Sequence, residues 1–366
     1  MCIRDRLIAE TVRQNLSTDM KKLILLTLII TQSQFIYGQI SFDDSFALTE
    51  KVLNEINTRQ DIVGVSITIG LADSILFSKG YGMVDRELKV NTQDYHKIRN
   101  YSISKNITAI ASAKFYEDGL LDLDKPINEY IPFLNEKLNG ITTRQKIGHI
   151  AGIRSYEDEE WQKVSNGVCI SPFESILSFQ TDSLLFKPGE EYSYTSFGYV
   201  LLSAIIEKVS GKPFMEYLEE SFFKPLDLDI TLDNSELTNH LAAKTYEYWK
   251  GTMYNARYAN NTCKFGGGGF SASTKDVVLF NQNLIRGNLI NQETLNMVFT
   301  SMELNNGEKT DYGFGLQFDT DDKGRNYAWH SGRSRGGRNA LIVYPKEKLV
   351  ICISANTNGD GIVEEA

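Results

Sequence analysis

The chain reads as an α+β fold, with an antiparallel sheet built from both chain ends, flanked by helices and carrying a mainly helical insert. Two strand pairs, one near each end, and amphipathic helices between them predict it. At the first end, Val63, Val65, Ile67 and Ile69 alternate with Gly64, Ser66 and Thr68, the period of a half-buried strand. Leu71-Ala72-Asp73 turns the chain, and Ile75–Ser78 returns as its hairpin partner. At the other end, Asn339–Tyr344 and Leu349–Ser354 flank Pro345-Lys346-Glu347-Lys348 and read as a second antiparallel hairpin. Between them a helix is expected from near Ser102 to Gly119, a suitable C-terminal cap. Another runs from about Gly198 to Ser210, with Leu201, Leu202, Ile205, Ile206 and Val209 on one stripe and Gly211 and Pro213 closing it. The helical part covers roughly residues 100–240, with no internal repeat and no low-complexity linker.

The 366 residues are 42% apolar and 23% charged, proportions that place the chain among ordinary globular proteins. A net charge of −9, with no basic run, argues against nucleic acid or an anionic membrane surface as partner. The four cysteines, Cys2, Cys169, Cys263 and Cys352, are scattered without a Cys-x-x-Cys pair, so neither a zinc site nor a disulfide scaffold is expected. The four histidines include no His-Glu-x-x-His, and no cofactor or metal is implied.

Met20-Lys21-Lys22 followed by the apolar Leu23–Ile30 reads as a secretory signal over residues 20–38, cleaved after Gly38. The apolar run is far shorter than the ~20 residues that cross a bilayer, and no lipid-anchoring cysteine follows it. An exported protein, periplasmic or secreted, without a stable membrane anchor is therefore expected. Residues 1–19 are read as a non-native extension, because Met1–Arg6 looks like translated adapter DNA, and residues 39–366 as the folded domain. The helix-like run Asp360–Ala366 is expected to be a terminal helix cut short.

Ser102-Ile103-Ser104-Lys105 carries the chemistry. A serine and a lysine three residues apart share a helix face, so an amine can reach a hydroxyl. Serine is a poor nucleophile until a base takes its proton. Lysine can act as that base once its pKa falls from ~10.4 toward 7, which costs roughly 4 kcal/mol and which burial plus a neighbouring cation can supply. Tyr194, in Lys187-Pro188-Gly189…Tyr194-Thr195-Ser196-Phe197-Gly198-Tyr199, stands just before a helix, where a phenol could relay the proton. Gly266-Gly267-Gly268-Gly269 lacks a following Gly-Lys-Ser/Thr and reads as a tight loop where backbone meets backbone. No Gly-x-Ser-x-Gly elbow occurs, which excludes the α/β-hydrolase arrangement.

Ser102–Lys105, Tyr194 in its Pro-Gly…Tyr-x-x-x-Gly-Tyr setting, and His330-Ser331-Gly332 together resemble the three ordered motifs of the serine β-lactamase and penicillin-binding-protein superfamily. The branch is that of class C enzymes and their esterase and peptidase relatives. Gly64–Tyr81 with Gly80-Tyr81-Gly82, Gly119–Asp124 and Tyr130-Ile131-Pro132 fit the same pattern, so the resemblance runs from about Ser45 to Thr357. Phe186–Leu202, His149–Tyr156 and Gly266–Thr274 look most like the mitochondrial serine β-lactamase-like branch and its bacterial relatives. The resemblance implies a β-lactamase/transpeptidase-like fold and an acyl-enzyme on Ser102. Lys105 would be the base, Tyr194 the proton relay, and the backbone N–H groups of Ser102 and Arg333 the oxyanion hole.

The resemblance also places Ser196, His330, Ser331 and Gly332 in substrate binding. Two departures point away from antibiotics: Ser196 stands where many relatives have an asparagine, and His330 where β-lactamases usually have a lysine. The expected substrate is thus a small molecule or peptide bearing an amide or ester. Alternatives are a β-lactamase or D-Ala-D-Ala carboxypeptidase, or a non-catalytic penicillin-recognising or assembly protein. Arg333, Arg335 and Arg338 are candidates to bind a substrate carboxylate. His149 is read as structural, and Glu157-Asp158-Glu159-Glu160 as a solvated loop.

Overall fold

The computed structural model describes residues 58–157, 160, 168–233, 241–257 and 259–358, together with 47, 49–51 and 54. The expected signal, the extension before it and the Asp360–Ala366 run lie outside the described residues. In chain order the elements that matter are β1 (Gly64–Leu71), β2 (Ser74–Asp85), β3 (Val90–Asn91), β4 (Ile98–Arg99), α1 (Ser104–Glu117), α2 (Thr143–Ile147), α3 (Pro172–Ile176), α4 (Phe197–Ser210) and α5 (Phe214–Leu218). They continue with β5 (Thr231–Leu232), β6 (Tyr246–Trp249), β7 (Thr252–Asn255), β8 (Phe270–Ala272), α6 (Thr274–Ile285), α7 (Gln292–Val298), β9 (Gln317–Thr320), β10 (Asn326–Ser334), β11 (Gly337–Tyr344) and β12 (Leu349–Ala355).

The expected sheet from both chain ends is present: seven strands in the order β3-β2-β1-β12-β11-β10-β9, with β1 antiparallel to β12 and Ile67 opposite Ile353. The half-buried reading of β1 needs correction, because Gly64–Gly70 is buried on both faces. Val65, Ile67 and Ile69 fill an apolar layer with Trp329, Ile342 and Ile351. On the opposite face, small residues let α6 lie close. The Ser66 and Thr68 hydroxyls each lie 2.9 Å from Thr274 Oγ1, so buried polar groups are satisfied rather than stranded. A Cβ on Gly70 would lie 2.7 Å from Val278 Cγ1, which excludes any larger residue there.

The helical body packs on that side of the sheet. α4 forms the expected stripe, with Leu201, Leu202, Ile205 and Ile206 fully buried, and Gly211 ends it at φ +67°. α1 is almost wholly buried, which its run of Ala109, Ala111, Ser112 and Ala113 permits: small side chains let neighbouring elements approach on every side. A three-stranded sheet in the order β4-β8-β5 sits beside it. It fixes the start of α1, since Asn100 N–H donates to the Phe270 carbonyl at 2.8 Å.

The cysteines depart from expectation. Cys169 and Cys263 form a disulfide across a sequence separation of 94, joining the segment before α3 to the 3-10 turn Thr262–Gly267. The Ser175 hydroxyl reinforces the junction by donating to the Cys263 carbonyl at 2.8 Å. Pairing over such a separation leaves no local pattern in the sequence. Among the described residues, no helix is long and apolar enough to cross a membrane.

Candidate active site

Ser102 lies in a 3-10 turn, Tyr101–Ile103, that leads directly into α1. Tyr101 before it has φ +47°, a left-handed conformation that costs a non-glycine residue of order 1–3 kcal/mol and needs support from its surroundings. That support is visible. The Tyr101 hydroxyl donates to the Arg335 carbonyl at 2.7 Å, and Asn339 Nδ2 donates to the Arg99 carbonyl at 2.5 Å. Both partners tie the turn to the β10–β11 hairpin, the edge that carries His330-Ser331-Gly332. The turn presents Ser102 half-exposed, with Lys105 completely buried behind it.

Lys105 Nζ has three polar neighbours: Ser102 Oγ at 3.1 Å, Ser196 Oγ at 3.1 Å and the Gly267 carbonyl at 2.5 Å. It also stands over the Tyr194 ring, 4.9 Å from its centroid, and 5.6 Å from that of Tyr199. Burial, and then the charge of Lys264, hold the Lys105 amine well below the ordinary lysine range. The glycine run thus has the expected tight-loop role and a further one, since it delivers a carbonyl to the lysine. A Cβ on Gly267 would lie 2.7 Å from the Ser196 carbonyl oxygen, so only glycine lets this loop come so near.

Tyr194 is on the same side of the lysine. Burial holds its phenol well above the ordinary tyrosine range, while a hydrogen bond with Ser102 pulls the other way. His330 follows on β10, with Nδ1 2.7 Å from the Ser331 carbonyl oxygen and Nε2 3.5 Å from the Tyr194 hydroxyl. A carbonyl only accepts, so Nδ1 carries the proton and Nε2 faces Tyr194 as an acceptor. Burial first, then Lys105, bring His330 down to about 3, leaving an uncharged imidazole. His149 is also buried, and its Nδ1 accepts from Thr195 N–H at 3.2 Å while its ring packs among Tyr194, Tyr199 and Tyr312. That surrounding agrees with its structural reading.

The three arginines separate. Arg333 is exposed and Arg335 half-buried, but Arg338 is 2% exposed and donates from Nε to the Asn358 carbonyl, so it is withdrawn from any substrate role. Its burial follows from the position of β11 inside the sheet, where every residue from Gly337 to Tyr344 is buried, a placement that crowding of charge in the sequence does not reveal. Of the acidic run, Glu157 is exposed as expected and Asp158 and Glu159 lie outside the described residues, while Glu160 forms a paired contact with Arg154, which Asp182 shares. The Arg154 carbonyl in turn accepts from the Thr195 hydroxyl at 2.6 Å, beside Tyr194. Lys264 was not anticipated, because a lone lysine before a glycine run has no motif to mark it. Among the described residues, no cluster of His, Cys, Asp and Glu could hold a metal ion.

Comparison with known proteins adds to this geometry. The sequence profile of the Beta-lactamase family matches residues 49–365. The serine beta-lactamase-like protein LACTB, mitochondrial, of Homo sapiens is 28% identical over 418 residues, covering 88% of this chain and 75% of its own. Penicillin-binding protein 4* of Bacillus subtilis is 26% identical, covering 79% of this chain and 66% of its own. Among solved structures, the octameric penicillin-binding protein homologue from Pyrococcus abyssi superposes with a TM-score of 0.73 at 24% identity, over 86% of this chain and 74% of that one. The likeness to that structure is one of fold.

Proposed function

The chain belongs to the Beta-lactamase family, and from that premise we propose a serine hydrolase that acylates Ser102 and cleaves a peptide, amide or ester. The observation that carries the reading is the set of contacts at Lys105 Nζ. A neutral amine has two hydrogens and one lone pair. The hydrogens go to the Gly267 carbonyl and Ser196 Oγ, and the lone pair is left for the Ser102 hydroxyl at 3.1 Å. The buried setting, which disfavours the ammonium, supports that assignment.

The steps follow. Ser102 Oγ passes its proton to Lys105 Nζ and bonds to the substrate carbonyl carbon. The resulting oxyanion is received by the backbone N–H groups of Ser102 and Arg333, each such donor being worth ~3–4 kcal/mol in the transition state. Collapse breaks the bond to the leaving group, which takes a proton from the Tyr194 phenol. The Lys105 ammonium then returns one to Tyr194. A water, deprotonated by the same pair, releases the acid and restores Ser102. Tyr194 remains a phenol between steps, in keeping with the upward push of its burial.

His330 contributes an uncharged acceptor in place of a cation, and Ser196 is engaged with Lys105. Both features favour a substrate that needs no fixed positive charge at this edge, and so a peptide or ester over a β-lactam. Ser331 and Gly332 would line the substrate along β10. The disulfide supports the exported location, since such bonds persist in oxidising compartments.

Labelling with a fluorophosphonate probe and with a fluorescent penicillin tests the reading. Probe labelling that disappears in Ser102→Ala is expected. Absence of labelling in folded protein defeats it, and rapid turnover of the penicillin adduct points instead to a β-lactamase.

A further inference from the structure

A second lysine stands behind the first. The 3-10 turn Thr262–Gly267 that gives Lys105 its carbonyl partner also carries Lys264, whose side chain is only 5% exposed. The turn is fixed from several directions. The Cys169–Cys263 bond holds one end, the Lys264 N–H donates to the Asn261 carbonyl at 2.9 Å, and Gly266 N–H donates to Ser203 Oγ on α4 at 3.1 Å. A Cβ on Gly268 would lie 3.9 Å from Lys264 Cδ and 3.6 Å from the Tyr101 carbonyl carbon, so the lysine stem and the peptide that precedes Ser102 both border Gly268.

The charged groups around Lys264 are Arg99 on β4, Asp233 after β5, Arg335 after β10, and Lys105 on α1. Asp233 is engaged by Arg99 at 2.7 Å and by Asn261 Nδ2 at 2.6 Å. Around Lys105, apart from Lys264, stand only uncharged groups: Ser102, Ser196, the rings of Tyr194 and Tyr199, and the imidazoles of His149 and His330. Among the described residues, Lys264 is thus a cation on the same turn whose Gly267 carbonyl meets Lys105 Nζ, and its charge adds to burial in lowering that amine.

We infer that Lys264 is a positioning residue for the proposed Ser102–Lys105 pair: a second cation, held by a disulfide-anchored turn, that keeps the Lys105 amine unprotonated where it meets Ser102. The inference rests on the acyl-enzyme reading above. Two like charges in one low-dielectric region titrate as a coupled pair, so one lysine stays neutral while the other is charged. Burial and Arg99, set against Asp233, bring Lys264 itself to about 7. Removing its charge relieves Lys105 and lets that amine keep its proton to higher pH, so the sign of the effect on the acid limb is upward.

The test is the pH profile of fluorophosphonate labelling in the full chain with its disulfide intact. Lys264→Met is expected to move the acid limb up by on the order of one pH unit, without changing the final stoichiometry of labelling. Lys264→Arg is expected to keep the limb at or below its wild-type position. Coincident profiles for wild type and Lys264→Met overturn the inference, as does Lys264→Arg shifting upward as far as Lys264→Met, which would mark a role of shape. Wild-type protein that takes no label, or Ser102→Ala that still does, defeats the acyl-enzyme reading and is told apart by that result. If Lys264→Met fails to fold, carbon-13 NMR of lysine side chains in the wild type decides. Two coupled titrations support the inference, and independent single steps overturn it.

Discussion

Gly332 on β10 lies against the Asn100 carbonyl so closely that a Cβ there would be 2.4 Å from its oxygen. Asn100 immediately precedes the turn that presents Ser102, and its carbonyl also accepts from Ile103 N–H at 3.1 Å. The third motif therefore needs glycine for a geometric reason: it sets the distance between the strand edge and the turn. Gly332→Ala is expected to push the two apart and lower the acylation rate by about 100-fold, the usual effect of misplacing reacting groups by about an ångström. Stopped-flow labelling checks this, and a rate within a few-fold of wild type would show that the strand has room to move.

Tyr194→Phe removes the proposed relay and keeps the ring over Lys105. The expected result is a fall in kcat of about 10²–10⁴-fold with little change in KM, as for the loss of a general acid–base group. The ring's contact with Lys105 persists in the variant, so the fold should be intact by circular dichroism. Near-normal turnover would transfer the relay to another group, with His330, 3.5 Å from the hydroxyl, the first to examine.

What could be read from sequence alone divides by range. The Ser102–Lys105 pairing and the helix caps are local, and spacing along one helix or the presence of Gly211 was enough to anticipate them. The two hairpins were legible for the same reason, and a single sheet from both chain ends followed from having strands at each, though its strand order did not. The carbonyl of Gly267 lies 162 positions from Lys105, and Cys169 is 94 from Cys263. Such contacts are set by how the helical body closes on the sheet, so periodicity does not encode them. Arg338 is a case of the same kind, since β11 is covered along its whole length by long-range packing and no local pattern marks its arginine as buried.

The disulfide is expected to bear on stability through the unfolded chain. Closing a loop of this length removes denatured-state entropy worth roughly 2–5 kcal/mol, given the separation of 94 between its cysteines. Cys169→Ser should lower the urea midpoint accordingly, and dithiothreitol should bring the wild type to the same value. A midpoint insensitive to both would mean that the Ser175–Cys263 contact and the surrounding packing hold the turn unaided.

Lys146 on α2 offers a test of burial itself. Its Nζ is buried with no hydrogen-bond partner among the described residues, and burial alone lowers its pKa well below the lysine range. The folded state therefore releases a proton that the unfolded chain keeps up to its own pKa of ~10.4. Stability must rise as pH climbs toward that value, by up to about 1.4 kcal/mol per unit for one group. Methionine is unbranched and fills a similar space without an amine, so Lys146→Met is expected to stabilise the protein. The gain should be largest at neutral pH and below, and should shrink as pH rises toward ~10.4, because both states of the wild type are then neutral at this site. Urea unfolding of both proteins at neutral and at alkaline pH measures the difference directly, and subtraction removes the contributions of Lys105 and Lys264. A gain independent of pH would assign the effect to packing, and a loss of stability at neutral pH would mean that the amine has a compensating partner after all.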